Sequence, residues 1–124
     1  MESKFLIKIT FIGIGDVLFE LRRIYAPRTI DHLVNKLPFK GRAIPQRNTI
    51  SIPIGLKMSV EKGHTFVKSG DIAYWPLNDT LVIYMVDSKT YSPVNLLGKS
   101  INDILEIGRK IRTGTMVTIE AVNS

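Results

Sequence analysis

The sequence predicts a mainly β protein, an antiparallel barrel with two capping helices, and three observations lead to this fold class. At least six short segments alternate apolar and polar residues, as strands with one buried face do. Only two segments show helical spacing of apolar residues, and they lie far apart in the chain. Because strands and helices do not alternate, the pattern disfavours a parallel α/β sheet.

The composition predicts one globular domain spanning residues 1–124. Apolar residues make up 44% of the chain and charged residues 23%, which is typical of a folded protein. The chain has no cysteine, which excludes disulfides, thiolate metal sites and a cysteine nucleophile. The two histidines, His32 and His64, lie too far apart for the usual zinc spacings. We therefore expect neither a metal nor a cofactor.

The hydropathy pattern predicts a soluble, cytoplasmic protein without membrane contact. The longest apolar run, residues 81–86, is far shorter than the ~20 residues of a membrane span. Lys4 and Lys8 interrupt the apolar stretch that a signal peptide would need. The many isoleucines, the single glutamine and the missing cysteines suggest an archaeal or thermophilic source, since thermolabile residues are few.

The chain begins with a predicted hairpin. Residues 4–12 alternate, and one face carries Phe5, Ile7, Ile9 and Phe11. A turn at residues 13–16 leads to a second strand at 17–22. The Gly13-Ile14-Gly15 of this turn is not a nucleotide-binding loop, because such a loop has a third glycine and is followed by a helix.

The first helix is predicted from apolar residues at i, i+3, i+4 and i+7: Ile30, Leu33, Val34 and Leu37. Thr29 is its predicted N-cap, Asp31 suits its first turn, and Pro38 ends it.

A connection is predicted over residues 39–48, and a loop or short irregular strand over 57–69. Further strands are predicted at 49–56, 72–75, 80–86 and 116–122, with 80–86 at the centre of the sheet. Pro53 indicates an edge or a bulge, because proline cannot donate to a strand ladder. Residues 87–93 are predicted to form another loop.

The second helix is predicted to follow residues 95–98. Ser100 and Asp103 have the spacing of a capping box. An apolar stripe follows at Ile101, Ile104, Leu105, Gly108 and Ile111. Gly114 suits the position that ends a helix.

Three segments carry a family resemblance. They read Gly41-Arg42-Ala43-Ile44-Pro45, Gly70-Asp71-Ile72-Ala73-Tyr74-Trp75-Pro76 and Val94-Asn95-Leu96-Leu97-Gly98-Lys99. The chain resembles the cyclophilin fold, and more closely the small bacterial and archaeal cyclophilin-like family of about this length. The resemblance implies a closed β-barrel with a helix at each end. The short members of that family have no established activity.

The resemblance to cyclophilins also raises the hypothesis of a prolyl isomerase. Arg42 matches the cyclophilin catalytic arginine, and a guanidinium that donates to the prolyl nitrogen would favour the twisted amide. The surrounding residues depart from the pattern: Arg47 stands where cyclophilins have an aromatic residue, and Val94 where they have a histidine. A guanidinium in an apolar proline pocket would be costly.

A second hypothesis is a binding site built from the replaced residues. Arg42, Gln46, Arg47 and Asn48 are all hydrogen-bond donors within seven positions, and arginines favour carboxylates or phosphates. The resemblance to cyclophilins implies that Tyr91 and Asn95 lie near these four residues. Alternatively, both arginines pair with Asp71 or Asp87, or point into water.

The aromatic residues Tyr74 and Trp75 are further candidates for ligand contact. Such a pair can form an exposed platform for a peptide or a base, or it can pack in the core.

The predicted function is a binding module for a peptide or small anionic ligand at the cyclophilin-type face. The enzymatic alternative is a prolyl isomerase using Arg42. A third is weak nucleic-acid binding, because the net charge is +6. The basic residues are scattered in small groups, which favours a solvated surface over nucleic-acid binding. The sequence leaves the oligomeric state open.

Overall fold

The computed structural model describes residues 4–122. The strands, in chain order, are β1 Lys4–Phe11, β2 Gly15–Arg22, β3 Phe39–Pro45, β4 Thr49–Pro53, β5 His64–Val67, β6 Asp71–Trp75, β7 Thr80–Tyr84, β8 Ser88–Ser100 and β9 Thr115–Ala121. The helices are α1 Pro27–Lys36 and α2 Ile104–Gly108, and a 3-10 turn, Pro76–Asn78, lies between β6 and β7.

Eight of the strands form a closed antiparallel barrel in the order β2-β1-β9-β3-β4-β7-β6-β8. The barrel closes because β8 also pairs with β2. The extra strand, β5, pairs with β8. The predicted mainly β, closed antiparallel barrel is confirmed, and closure leaves none of these eight strands with an open edge.

The barrel interior is filled by the inward-facing residues, which alternate with outward-facing ones along each strand. On β1 and β2 these include Ile7, Ile9, Phe11, Val17, Phe19 and Leu21, all fully buried. The two strands pair from Lys4 opposite Arg22 to Phe11 opposite Gly15, which confirms the predicted hairpin. No helix within residues 4–122 is long and apolar enough to cross a lipid bilayer.

Gly98 permits the closure of the barrel. It lies opposite Leu21 where β8 pairs with β2. A Cβ atom at this position would lie 1.9 Å from the backbone oxygen of Glu20. Because real Cβ atoms do not approach a backbone oxygen so closely, only glycine fits this crossing.

Two segments predicted as connections are strands. Residues 39–45 of the predicted 39–48 connection form β3, which pairs with β9 and β4. The predicted loop at 87–93 belongs largely to β8, whose first half pairs with β5. Strands elsewhere in the chain supply the hydrogen bonds of both segments. Because the two segments contain glycine, proline and polar residues, their sequences do not show the alternation of apolar and polar residues that is typical of a strand.

Pro53 lies in an interior strand, not in the predicted edge strand, but it lies beyond the pairs that β4 makes with β3 and pairs only with β7. Strand β4 pairs with β7 on one side and with β3 on the other, so it lies inside the sheet. Pro53 is its last residue, where the missing backbone donor is tolerated.

Helix α1 begins before the predicted cap. Its N-cap is Ala26, Pro27 is the first helical residue, and Thr29 is a buried residue of the first turn. The cap is supplied from outside: the Glu61 carboxylate accepts from the backbone N–H groups of Arg28 and Thr29, both at 2.9 Å, and from the Thr29 hydroxyl. Asp31 pairs with Arg23 instead of acting at the helix terminus.

Helix α2 is shorter than predicted and spans five residues. Asp103 caps it by accepting from the backbone N–H of Leu105, whereas Ser100 is the last residue of β8. Gly114 lies beyond the helix, in the turn before β9, with φ +88°. Both helices contribute to the core, α1 through Ile30 and Leu33 and α2 through Ile104.

Candidate functional site

A groove of about 210 Å³ lies on the outer face of the barrel. We call it the outer-face groove: its walls are β4, the ends of β6 and β7, and residues 88–94 of β8. Ile50, Ile52, Leu81 and Ile83 point into the barrel. The alternate residues therefore face outward, toward the groove.

The floor of the groove is apolar. Val82, Tyr84 and Val94 line it and belong to a second cluster of buried residues that includes Val67 and Ala73. This cluster holds the ribbon of β5 and the first half of β8 against β6 and β7. Burial of these side chains thereby shapes the groove before any ligand is present.

An aromatic pair forms one end of the groove. Trp75 and Tyr91 meet edge to face, with ring centroids 6.3 Å apart and an interplanar angle of 73°. The Trp75 indole N–H donates to the Ser92 hydroxyl at 2.6 Å, which fixes the orientation of the ring. Tyr91 is 88% exposed, so most of its ring is open to a partner.

The polar part of the wall consists of hydroxyls, one amide and one cation. The hydroxyls belong to Thr49, Ser51, Ser88, Thr90 and Ser92, the amide to Gln46 and the ammonium to Lys89. No aspartate or glutamate of residues 4–122 lines the groove. The local charge therefore favours an anion.

Tyr84 presents a hydroxyl at the floor. Its side chain is only 6% exposed, and its hydroxyl forms no hydrogen bond within residues 4–122. Burial, with a smaller contribution from the Asp71 charge, raises the pKa of Tyr84 to about 12. The phenol therefore stays protonated at neutral pH and can act as a donor.

Asp71 is itself buried next to this region. Burial raises the pKa of its carboxyl, although the Lys68 backbone N–H donates to it and the charges of Lys99 and Lys68 oppose the shift. The Asp71 carboxylate lies outside the groove lining, and the positive charges of Lys99 and Lys68 partly offset its own.

Three predicted site residues line the groove: Gln46, Trp75 and Tyr91. Arg42, Arg47 and Asn48 are exposed and lie outside it. The Arg42 guanidinium donates to the Gly114 carbonyl at 3.0 Å, on the β9 side of β3, whereas the groove lies on the β4 side. The two arginines therefore do not converge on this cavity.

Tyr74 points into the barrel and is fully buried. Its hydroxyl donates to the Asp79 carboxylate and accepts from the Met58 backbone N–H. Asp79 also accepts from the backbone N–H groups of Leu56 and Lys57. Burial and the hydrogen bond to Asp79 together raise the pKa of Tyr74 to about 12.

Asn95 is also fully buried, and its side chain fastens the loop before β5. The Asn95 amide oxygen accepts from the Glu61 backbone N–H at 2.6 Å. Its amide nitrogen donates to the Thr29 hydroxyl and to the Ser59 carbonyl, each at 3.0 Å. Asn95 thus joins β8, the loop and α1.

Nine of the lining residues were not predicted, among them Tyr84, Lys89 and Ser92. Tyr84 lies in the continuously apolar run 81–86, so its outward direction could not be read from the sequence. Lys89 and Ser92 lie in a segment predicted as a loop, where no periodic pattern indicates direction. Within residues 4–122, no three acidic or histidine side chains are placed to hold a metal ion.

Comparisons with known proteins identify the family. The family model described as cyclophilin-like matches residues 6–120. A search of curated proteins found no match.

Two solved structures share the fold. One is the hypothetical protein AF2241 from Archaeoglobus fulgidus, solved in solution, with 22% identity, a TM-score of 0.81 and 98% of each chain covered. The other is McbB in complex with tryptophan, with 16% identity and a TM-score of 0.75. That match covers 95% of this chain but 46% of McbB, so the chain spans about half of McbB. At these identities the likeness concerns the fold alone. The family match over nearly the whole described barrel shows that this chain belongs to the cyclophilin-like family.

Proposed function

We propose that this protein is a binding module that holds a peptide or a small anionic ligand in the outer-face groove. The observation that carries the proposal is the composition of the groove wall. An apolar floor and the Trp75–Tyr91 pair offer contacts to an apolar group, and Lys89 is the charged residue beside them. Pockets with an apolar lining and a few converging polar groups are typical of ligand sites.

The size of the groove favours a small ligand. Its volume of about 210 Å³ is below the ~300–1,000 Å³ of pockets for drug-sized molecules. A single amino-acid side chain, or a molecule of amino-acid size, fits this scale. An extended peptide would therefore insert one residue and leave the rest on the surface.

The charge of the groove favours an acidic group on that ligand. Lys89 contributes an ammonium, and the hydroxyls and the Gln46 amide can donate hydrogen bonds. McbB, which contains this fold in about half of its chain, was solved in complex with tryptophan. This supports amino acids with aromatic side chains as the first ligands to test.

The experiment is a two-dimensional ¹H–¹⁵N NMR titration with N-acetylated aromatic, aliphatic and acidic amino acids. We expect at least one compound to shift the signals of Trp75 and Tyr91 in a saturable manner. The single tryptophan, Trp75, lies in the groove, so its indole N–H signal reports directly on occupancy.

The variant Tyr91→Ala should weaken this binding about fivefold, since an aromatic contact contributes about 1 kcal/mol. The matched control is Ile24→Ala, which removes an apolar side chain that is also exposed but lies outside the groove. If no compound shifts groove signals at millimolar concentration, the proposed function is wrong.

A further inference from the structure

The Tyr84 hydroxyl is a hydrogen-bond donor without an acceptor. The other strongly buried tyrosine, Tyr74, donates to Asp79, whereas Tyr84 has no such partner within residues 4–122. A buried polar group that lacks a partner is costly, so nearly all of them are satisfied by protein, water or ligand.

The Tyr84 hydroxyl is also accessible from the groove. Within residues 4–122, the one fully enclosed side-chain polar atom without a partner is the His64 Nδ1. The Tyr84 oxygen is therefore not sealed inside the protein, and its side chain lines the groove. Its place on β7, opposite Thr49 of β4, sets it on a rigid strand.

The charged group of the groove lining selects what can accept from this hydroxyl; the Asp71 carboxylate, whose charge also acts on Tyr84, lies outside the lining. Lys89 lines the same cavity with a cation, and the described lining has no acidic side chain. A carboxylate satisfies both a phenol donor and an ammonium, and hydrogen bonds to an ionised acceptor are stronger than neutral ones. A neutral carbonyl would use the phenol but leave the ammonium without a counter-charge.

We infer that the ligand of the outer-face groove is a carboxylate next to an aromatic or large apolar side chain, and that Tyr84 is its anchoring donor. This inference rests on the proposed function. The carboxylate lies between Tyr84 and Lys89, and the side chain contacts the Trp75–Tyr91 pair. The same chemistry is present in a free N-acylated amino acid and in the C-terminal residue of a peptide.

The test compares N-acetylphenylalanine with N-acetylphenylalanine amide, using the fluorescence of Trp75 and NMR titration. We expect the acid to bind about tenfold more tightly than the amide, because only the acid offers a charged acceptor. Tyr84→Phe, which removes only the hydroxyl, should weaken binding of the acid about tenfold and of the amide only about twofold, because the hydrogen bond to a charged acceptor is the stronger one, and should so reduce the preference to about twofold. Tyr25→Phe is the control, because Tyr25 lies outside the groove.

Each outcome has a separate meaning. Equal binding of acid and amide, or an acid preference unchanged in Tyr84→Phe, overturns the inference and leaves the proposed function standing. Failure of both compounds to bind overturns the inference, and the wider amino-acid panel then decides on the proposed function separately. A tetrapeptide ending in phenylalanine distinguishes the two sources: tighter binding than N-acetylphenylalanine indicates a peptide C-terminus, and weaker binding indicates a small molecule.

Discussion

At the scale of single residues, several side chains of the family motifs have partners inside the protein. Tyr74 bonds to Asp79, Asn95 joins β8 to the loop and to α1, and Gly98 lets β8 cross β2. Trp75 and Val94 are the motif residues that line the groove. The motifs therefore account for the shared barrel, while the rest of the groove wall is formed by residues outside them.

Replacing Gly98 with alanine should open the junction between β8 and β2. The new Cβ would collide with the backbone oxygen of Glu20, which cannot move aside as a flexible side chain can. We expect a loss of about 1–3 kcal/mol or more in the free energy of unfolding. Urea-induced unfolding measures it, with the exposed neighbour Lys99→Ala as the control. An unchanged midpoint in Gly98→Ala would contradict the close approach of the two strands.

The sequence indicated part of the candidate site. Gln46 was predicted as one of a group of hydrogen-bond donors and Trp75 as one of an aromatic pair, whereas Tyr91 was predicted only through the family resemblance. Tyr84 was missed because the run 81–86 is almost continuously apolar, and such a run does not reveal which residues face outward. Strand β7 packs against an apolar cluster on each of its faces, and this packing depends on the tertiary structure rather than on the local sequence.

At the scale of secondary structure, the sequence predicted the elements whose pattern is local. The β1–β2 hairpin has a clear alternation and a short turn, so its pairing follows from neighbouring residues. Strand β3 has outward-facing Lys40 and Arg42 and a glycine between them, and its hydrogen bonds come largely from β9. The start of α1 was predicted wrongly for a similar reason, because its cap, Glu61, lies 32 residues beyond Thr29.

Replacing Glu61 with glutamine should destabilise α1. The carboxylate accepts from the backbone N–H groups of Arg28 and Thr29 at the positive end of the helix dipole. We expect a loss of about 1 kcal/mol in the free energy of unfolding near neutral pH. Thermal unfolding followed by circular dichroism measures it. The control is Glu120→Gln, an exposed residue on β9.

The effect of Glu61 should depend on pH. Burial alone would raise the pKa of its carboxyl, but the hydrogen bonds from Arg28 and Thr29 outweigh burial and lower it. The stabilisation is therefore present above the unfolded pKa of roughly 4.3 and is lost as the pH falls through the lower folded value. The difference between wild type and Glu61→Gln should shrink in that acid range. A difference that stays constant down to pH 2 would contradict the role of the charge.

At the scale of the whole molecule, two apolar clusters differ in size and position. The larger fills the barrel, whereas the smaller lies under the ribbon of β5 and the first half of β8. Strand β5 pairs with β8 alone, so its other edge has no strand neighbour among the described residues. The ribbon therefore has one strand neighbour fewer at β5 and a smaller apolar cluster beneath it than the barrel has.

Amide hydrogen exchange should reveal this difference. We expect the amides of β5 to exchange at least tenfold faster than those of β1 and β9, because the ribbon can open without opening the barrel. NMR-detected exchange in D₂O near neutral pH measures it. Equal protection of β5 and β1 would show that ribbon and barrel open together.

The pairing of β1 with β9 also determines the order in which the chain can acquire its structure. Ile7 of β1 lies opposite Ala121 of β9, so the barrel wall joins the earliest and latest described strands. During synthesis, the β1–β2 hairpin leaves the ribosome long before its two edges are covered. The edge of β2 is covered only when β8 emerges, and the edge of β1 only when β9 emerges. Such non-local pairing slows folding and leaves strand edges open to other chains. The nascent chain is therefore most exposed to aggregation in the interval before β9 emerges.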